Sequence, residues 1–149
     1  MSGKITVSPV VAAQIDALRP NLDTGTGIFS LSTESDAPWT AGFDIDGLVL
    51  FDCDENRWIR NVDLLIPWKR LKLSQVELPS TDGPTCALQC DSAVLEHQSL
   101  RLSVVAERDG NTVRIGFSET SESGIVVRIA PNAAVRIDDG CLIEIFATL

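Results

Sequence analysis

Acidic side chains and tryptophans share one stretch of the 149-residue sequence, and their chemistry is that of electrostatic recognition. Between Glu34 and Asp63 there are eight acidic residues against two basic ones, a net charge of −6 out of the −9 of the whole chain. All three tryptophans lie within this window or just after it. Carboxylates steer an encounter with a basic surface, and desolvated aromatic side chains then hold the complex. The window is therefore the first candidate for a binding site.

This pattern favours a non-enzymatic acidic protein-binding module, such as an inhibitor or an immunity-type protein, that covers a basic site on its partner. A solvated sheet face with its tryptophans in the core explains the same window, so that alternative stays open. On the binding hypothesis, the carboxylates steer and two indoles anchor. The steering residues are Asp44, Asp46, Asp52, Asp54, Glu55 and Asp63, and the anchors are Trp39 and Trp58.

A calcium-loop spacing begins within the acidic window but departs from the pattern. Asp52, Asp54 and Asn56 stand at its first, third and fifth positions. Arg57 occupies the sixth position, where such a loop needs Gly for its sharp turn, and the flanking segments have the alternation of strands rather than helices. A hairpin turn rich in Asp and Asn is the simpler interpretation.

Zinc binding and catalysis have few residues to draw on. Cys86 and Cys90 lack the Cys-x2-Cys spacing, and on a strand they would lie about 13 Å apart, too far to share one zinc with His97. His97 is the sole histidine, and the sequence has no nucleophile elbow, no Gly-rich phosphate loop and no His-Glu-x-x-His helix. The four cysteines are expected to be free thiols, with no metal or cofactor, and an enzyme is less favoured than a binding protein.

One basic cluster follows the acidic window. Lys69, Arg70 and Lys72 stand beside Trp68, but three charges inside a protein of net charge −9 are a weak footprint for nucleic acid. A more modest role for the cluster is as a partner of the acidic window, either within the same chain or in a second copy, so a homo-oligomer remains possible.

Length and composition, with the strand patterns described below, predict a single β-rich domain covering residues 1–149. No apolar run approaches the ~18 residues of a membrane span, and the N-terminus lacks the apolar region of a signal peptide. The net charge of −9 repels nucleic acid and anionic lipid, and it favours basic protein partners. The cytosol is the expected compartment.

Three Asp-Gly dipeptides between apolar alternations predict three β-hairpins, because Gly accommodates positive φ in tight turns. Each register is set by the requirement that apolar residues face one another. The predicted pairs are Ala106 with Val113, Val104 with Ile115 and Leu102 with Phe117 about Asp109-Gly110; Ile45 with Leu48 and Phe43 with Leu50 about Asp46-Gly47; and Ile137 with Cys141, Val135 with Ile143 and Ala133 with Ile145 about a three-residue loop from Asp138 to Gly140.

Ser8-Pro9 predicts one short helix, which Pro20 ends, because Ser is a favourable N-cap, Pro suits the first helical position, and apolar residues follow at spacings of three and four. Apolar alternation and β-branched runs predict further strands. They cover residues 28–32, 58–66, 86–90, 94–98 and 125–129. The expected fold class is all-β, mostly antiparallel hairpins in a barrel or sandwich, with one short N-terminal helix.

Two other classes of function remain open. One is a β-barrel that encloses a small apolar ligand or substrate, as a binding protein or a cyclase-like enzyme, lined by Trp39, Phe43, Phe51 and Phe117. The other is a structural protein that self-assembles through exposed strand edges. Residues 43–66 also align loosely with 127–146, which an internal repeat or shared hairpin chemistry explains equally well.

Overall fold

A computed structural model describes residues 4–11, 17–34, 38–96, 98–117 and 123–149. Within these ranges the chain is mostly β, and its helical segments are one turn of α-helix, α1 (Ser92–Leu95), and a 3-10 turn at Trp68–Arg70. The strands form two six-stranded sheets and one two-stranded sheet. They are β1 (Val7–Val11), β2 (Arg19–Asp23), β3 (Ile28–Ser32), β4 (Ala41–Ile45), β5 (Val49–Cys53), β6 (Ile59–Leu64), β7 (Lys72–Leu73), β8 (Cys86–Cys90), β9 (Ser99–Leu100), β10 (Val105–Asp109), β11 (Thr112–Gly116), β12 (Ile125–Ala130), β13 (Ala133–Asp138) and β14 (Cys141–Thr148).

The two six-stranded sheets share one strand order, which reveals an internal structural repeat. In the first repeat, residues 19–64, the order is β2-β3-β6-β5-β4, and in the second, residues 105–148, it is β10-β11-β14-β13-β12. Counted along each repeat, both orders are 1-2-5-4-3, and every neighbouring pair is antiparallel. The pair Phe43 and Phe51 corresponds to the pair Val127 and Val135. The loose alignment of 43–66 with 127–146 therefore reflects a shared architecture.

The strand that precedes each repeat contacts the fifth strand of the other repeat. β1 pairs with β8, and these two strands precede the first and the second repeat. Thr6 forms a bridge with Cys141 at the start of β14, while Gln89 forms a bridge with Trp58 just before β6. Short parallel strands add to the sheet edges, β9 beside β4 and β7 beside β10. The repeats are thus intertwined rather than placed side by side.

Side chains from both sheets meet in one hydrophobic core. The rings of Phe43 and Phe51 stack with centroids 4.8 Å apart, and Phe51 meets Phe117 at 5.9 Å. These three side chains are at most 1 % exposed. The three phenylalanines that the enclosed-ligand hypothesis names are therefore members of the hydrophobic core. The strands of the described residues form no closed barrel, so of the two predicted architectures, barrel or sandwich, the barrel is wrong.

The predicted N-terminal helix is also wrong, because residues 7–11 form strand β1. Residues 12–16 of the predicted helix lie outside the described residues. Pro9 is compatible with a strand here because, among the described strands, β8 alone pairs with β1 at this position, so the missing N–H is not required by a second neighbour. Pro20, expected to end the helix, lies within edge strand β2 for the same reason. The β-branched pair Val10-Val11 then favours the extended chain.

All three predicted hairpins are present, but each has a different register from the prediction. In the hairpin at Asp109-Gly110, Asp109 pairs with Thr112, so the two-residue turn lies one position later than predicted. Each residue of β10 consequently pairs with a residue two positions further along β11 than predicted. A shift of two residues keeps the same face inward, and Val113 and Ile115 are buried as expected.

The Asp46-Gly47 hairpin has a three-residue loop instead of the predicted two-residue turn. Ile45 pairs with Val49 and Phe43 with Phe51. This one-residue shift places Val49 and Phe51 in the core instead of Leu48 and Leu50. The larger aromatic side chain gains more from burial, which explains the register.

The C-terminal hairpin combines a two-residue turn with a β-bulge. Asp138 pairs with Cys141, and the register shifts between Arg136 and Ile137 so that Val135 faces Ile145. The bulge restores the apolar alternation that a simple two-residue turn would have lost.

The strands at 28–32 and 86–90 are confirmed to the residue, and those at 58–66 and 125–129 are confirmed with slightly different ends. The strand predicted at 94–98 is wrong, because α1 occupies Ser92–Leu95. The Asp91 carboxylate accepts a hydrogen bond from the Ala93 N–H at 3.3 Å, which caps this turn.

Candidate functional site

Three of the predicted acidic residues lie together on the outer face of the first repeat. Asp44, Asp52 and Asp63 alternate with core residues along β4, β5 and β6, so their carboxylates point away from the core. Leu50 pairs with Asp44 on one side and with Asp63 on the other, and it is half-buried. Asp52 occupies the neighbouring row. We call Asp44, Asp52 and Asp63 the acidic face.

Each carboxylate of the acidic face accepts a hydrogen bond from a neutral donor. Asp63 accepts from the Ser30 hydroxyl at 2.5 Å, and Asp52 from the Asn61 side-chain amide at 3.3 Å. Asp44 accepts from the Gly47 N–H at 2.6 Å and from the Ser99 hydroxyl at 3.2 Å. Such bonds orient the carboxylates while leaving their charge in place.

Burial raises the pKa of Asp52, and the nearby Asp63 charge adds to the increase, while the hydrogen bond from Asn61 opposes it. Across the sheet, like charges on adjacent strands repel one another. The acidic face therefore holds negative charges close together although these charges repel one another.

Asp54 is the buried member of the predicted steering residues. It is 6 % exposed, and its carboxylate accepts from the N–H groups of Asn56 at 2.9 Å and Trp58 at 3.1 Å. The Arg60 Nε donates to it at 2.8 Å and completes an ion pair. Asp54 thus holds the turn between β5 and β6 through these contacts.

The remaining predicted residues lie around the acidic face. Asp46 is in the β4–β5 loop and Glu55 in the β5–β6 turn, so they mark opposite ends of β5, and both are exposed. Trp39 is 53 % exposed, and the adjacent Thr40 N–H donates to the Cys53 carbonyl, which places Trp39 at the Asp52 end of the sheet. Trp58 is only partly exposed and its backbone bridges to Gln89. Of the two predicted anchors, Trp39 has the accessible ring.

The residues with metal-like spacing do not form a metal site in the described part of the chain. No group of three His, Cys, Asp or Glu side chains there has the geometry to hold an ion. The calcium-like segment forms the Asp54 turn, and His97 lies outside the described residues. The Cys53 and Cys90 Sγ atoms lie 3.7 Å apart in the core as free thiols. Their hydrogen bond and burial raise the pKa of Cys90, which disfavours the reactive thiolate.

An arginine-rich network on the outer face of the second repeat was not predicted. The Arg114 Nε donates to Glu144 at 2.5 Å and its Nη1 to Glu107 at 3.3 Å, while the Arg136 Nε donates to Glu144 at 3.1 Å. Arg114, Arg128 and Arg136 all stand at outward positions of their strands, and this alternation was the available sequence signal. The two repeats thus present outer faces of different charge.

The basic cluster after the acidic window is partly structural. The Trp68 ring stacks on Phe29 at 5.7 Å, and the Arg108 guanidinium lies 5.4 Å from the Trp68 ring centroid. Lys69, Arg70 and Lys72 are exposed. Trp68 is therefore a packing residue.

Comparison with models of known protein families gives no match, and a search of curated proteins finds no similar sequence. Within the described residues, no helix has the length and apolar character needed to cross a membrane. Any functional assignment therefore depends on the geometry described above.

Proposed function

We propose that this chain is a cytosolic, non-enzymatic binding module of inhibitor or immunity type, whose acidic face covers a basic site on a partner protein. The observation that carries the proposal is uncompensated charge. Among the described residues, no basic side chain forms an ion pair with Asp44, Asp52 or Asp63. Asp54, Glu107 and Glu144, by contrast, are neutralised within the molecule.

Unpaired carboxylates on a rigid sheet are suited to electrostatic steering. Their hydrogen bonds to Ser30, Asn61 and Gly47 fix their directions, so little side-chain entropy is lost when a cation docks. A basic partner supplies the missing counter-charges and accelerates association. Asp46 and Glu55 at the two ends of β5 extend the same negative field.

Trp39 and Leu50 provide the apolar part of the contact. Trp39 has 53 % of its surface in water, and an exposed indole at the rim of a charged patch is the residue type that most often anchors an interface. Leu50 lies between two carboxylates, so docking a cationic surface would also desolvate an apolar centre.

Affinity capture from the source cells, with four versions of the chain as bait, tests this function. The first is the natural chain, and the second carries Asp44→Asn, Asp52→Asn and Asp63→Asn. Asn keeps a side-chain oxygen that accepts the bonds from Ser30 and Gly47, so the fold is expected to persist. The natural chain should retain a basic protein at low salt and release it as salt rises, whereas the triple variant should not retain it.

The matched control removes three charges elsewhere, through Glu77→Gln, Glu96→Gln and Asp139→Asn, all at exposed positions outside the acidic face. It should behave as the natural chain does, and Trp39→Ala should weaken binding by about tenfold or more through faster dissociation. Equal retention of the same protein by the triple variant and the control would overturn the proposal.

A further inference from the structure

The outer face of the second repeat is crossed by a segment of the chain itself. Residues 74–82, which we call the strap, belong to no strand or helix. The Ser74 N–H donates to the Arg108 carbonyl of β10 at 3.1 Å, and the Arg128 Nη2 on β12 donates to the Thr81 carbonyl. The strap therefore runs from β10 to β12, across the five strands of the repeat.

The strap shields apolar side chains on this face from water. Its residues 78–82 and the outward-pointing Ala134 line one shared cavity, so they face one another. Ala134 is 1 % exposed and Phe146 is 7 % exposed, although neither belongs to the central core. Val76 of the strap is also buried outside that core.

The internal repeat gives each position of this face a counterpart in the first repeat. One cross-strand row of the second repeat runs through five outward residues, Glu107, Arg114, Phe146, Ala134 and Arg128. The corresponding row of the first repeat consists of Asn21, Ser30, Asp63, Leu50 and Asp44. Because the same strand pairings generate both rows, Asp44 stands where Arg128 stands, and Leu50 stands where Ala134 stands.

The row of the first repeat is more open to solvent than its counterpart. Leu50 is partly exposed, whereas Ala134 is buried. β7 leads into the strap and pairs with β10, but β2, the counterpart of β10, is the free edge of its sheet in the described part of the chain. Both the starting edge and the crossing face are therefore accessible to a segment of another molecule.

The second repeat also indicates the charge of such a segment. The strap carries Glu77 and Asp82 and no basic residue, and it lies over a face with three arginines and two glutamates. In the first repeat, Asp44 takes the position of Arg128. A segment that crosses the first repeat is therefore expected to be basic.

We propose that the basic partner presents an extended segment, which lies across the outer face of the first repeat as the strap lies across the second. The segment adds beside β2, passes over Leu50 and places a lysine or arginine at Asp44. Four interstrand spacings of about 4.8 Å separate β2 from β4, so the crossing needs about six extended residues. This inference rests on the proposed function and adds the form of the segment that is bound.

Titration of the 15N-labelled chain with a nonapeptide, followed by NMR, tests the extended contact. The probe has the sequence of residues 74–82 with Glu77→Arg and Asp82→Arg, so it keeps the backbone preferences of the strap and reverses its charge. At low salt, saturable shifts are expected along the row of the first repeat, at residues 21–23, 30, 44, 50 and 63. The control peptide has the natural sequence of residues 74–82, and it should give no saturable shift there because the acidic face repels it.

Two variants of the chain test the role of the acidic face in this contact. The variant with Asp44→Asn, Asp52→Asn and Asp63→Asn should bind the arginine peptide about tenfold or more weakly than the natural chain. The control with Glu77→Gln, Glu96→Gln and Asp139→Asn should bind it as the natural chain does. Equal affinity of the two folded variants, saturation by the control peptide at the same residues, or shifts confined to the second repeat would overturn the extended contact.

Affinity capture separates this inference from the function on which it rests. Displacement of the captured basic protein by the arginine peptide would support the extended contact. A chain that captures a basic protein in a salt-dependent way, yet shows no saturable shift with the arginine peptide, would overturn the extended contact and leave the proposed function standing. Saturable binding of the peptide along the row, without salt-dependent capture of any basic protein, would instead overturn the inhibitor function.

Discussion

At the scale of single residues, Asp52 is ionised in surroundings that disfavour its charge. Burial raises its pKa above the ordinary value of 3.8, and Asp63 on the neighbouring strand adds to this effect. A carboxyl whose pKa is higher in the folded state than in the unfolded state binds protons preferentially when folded. Its contribution therefore becomes less favourable to folding as pH rises through the interval above 3.8.

Asp52→Asn should raise the free energy of unfolding at neutral pH, by up to about 1 kcal/mol because the site is partly solvated. The gain should disappear below pH 3.8, where the natural carboxyl is itself protonated. Urea unfolding at neutral and at acidic pH measures both values. A substitution that stabilises equally at both pH values, or not at all, would contradict this explanation, and exposed Glu77→Gln serves as the control.

Residue type and spacing located the acidic window but did not separate Asp52 from Asp54. The difference in burial between these two aspartates arises from the backbone that connects them to Arg60. Arg57 has a φ of 66°, and the bulge near Cys53 brings the Arg60 Nε onto Asp54. Backbone geometry of this kind depends on the whole hairpin, so the sequence alone predicts a carboxylate at each position and not which one is buried.

At the scale of elements, apolar alternation predicted the hairpin strands, while the loops decided their registers. Asp139 and Gly140 have φ values of 51° and 76°, as a two-residue turn of this hand requires. The preference for a three-residue loop came from matching apolar faces, and a β-bulge satisfies the same condition by another route. Both solutions bury the same residues of β13, so the alternation of that strand cannot distinguish them. On β14 they differ, because the bulge pairs Leu142, Ile145 and Ala147 with these residues, whereas the three-residue loop would pair Cys141, Ile143 and Ile145.

Gly140→Ala should lower the free energy of unfolding by about 1 kcal/mol, because a Cβ is disfavoured at positive φ. An added Cβ meets no atom within 4 Å at this position, so the effect is conformational and not steric. Gly83→Ala is the matched control, since Gly83 is equally open but does not adopt a positive φ. Urea unfolding of both variants measures the difference, and equal stability would show that the turn tolerates Ala.

At the scale of the whole molecule, the two repeats are joined by exchanged hydrogen bonds. The Val7 N–H donates to the Gly140 carbonyl at 3.0 Å, and the Cys90 N–H donates to the Arg57 carbonyl at 2.8 Å. Neither contact is predictable from local alternation, because each joins residues far apart in the sequence. The same long-range pairing accounts for the incorrect N-terminal helix, since β1 is extended by its pairing with β8.

The exchanged strands predict that both repeats unfold in one transition. Tryptophan fluorescence reports on the first repeat through the two tryptophans within it, while Trp68 also contacts Arg108 of the second repeat. NMR signals of Val135 and Ile145, buried in the second repeat, report on the other half. Coincident urea midpoints are expected, because loss of either sheet removes the partner of the other. Two separated midpoints would show that the repeats are independent units.

The charge of the whole molecule has its most direct consequence in association kinetics. Stopped-flow measurement of the association rate constant isolates the steering effect. The captured basic partner is mixed with the natural chain, or with the variant that carries Asp44→Asn, Asp52→Asn and Asp63→Asn, over a range of salt concentrations. The natural chain should associate about tenfold or more faster at low salt, and the two rates should converge at high salt. Equal rate constants at every salt concentration would contradict a role of the acidic face in recognition.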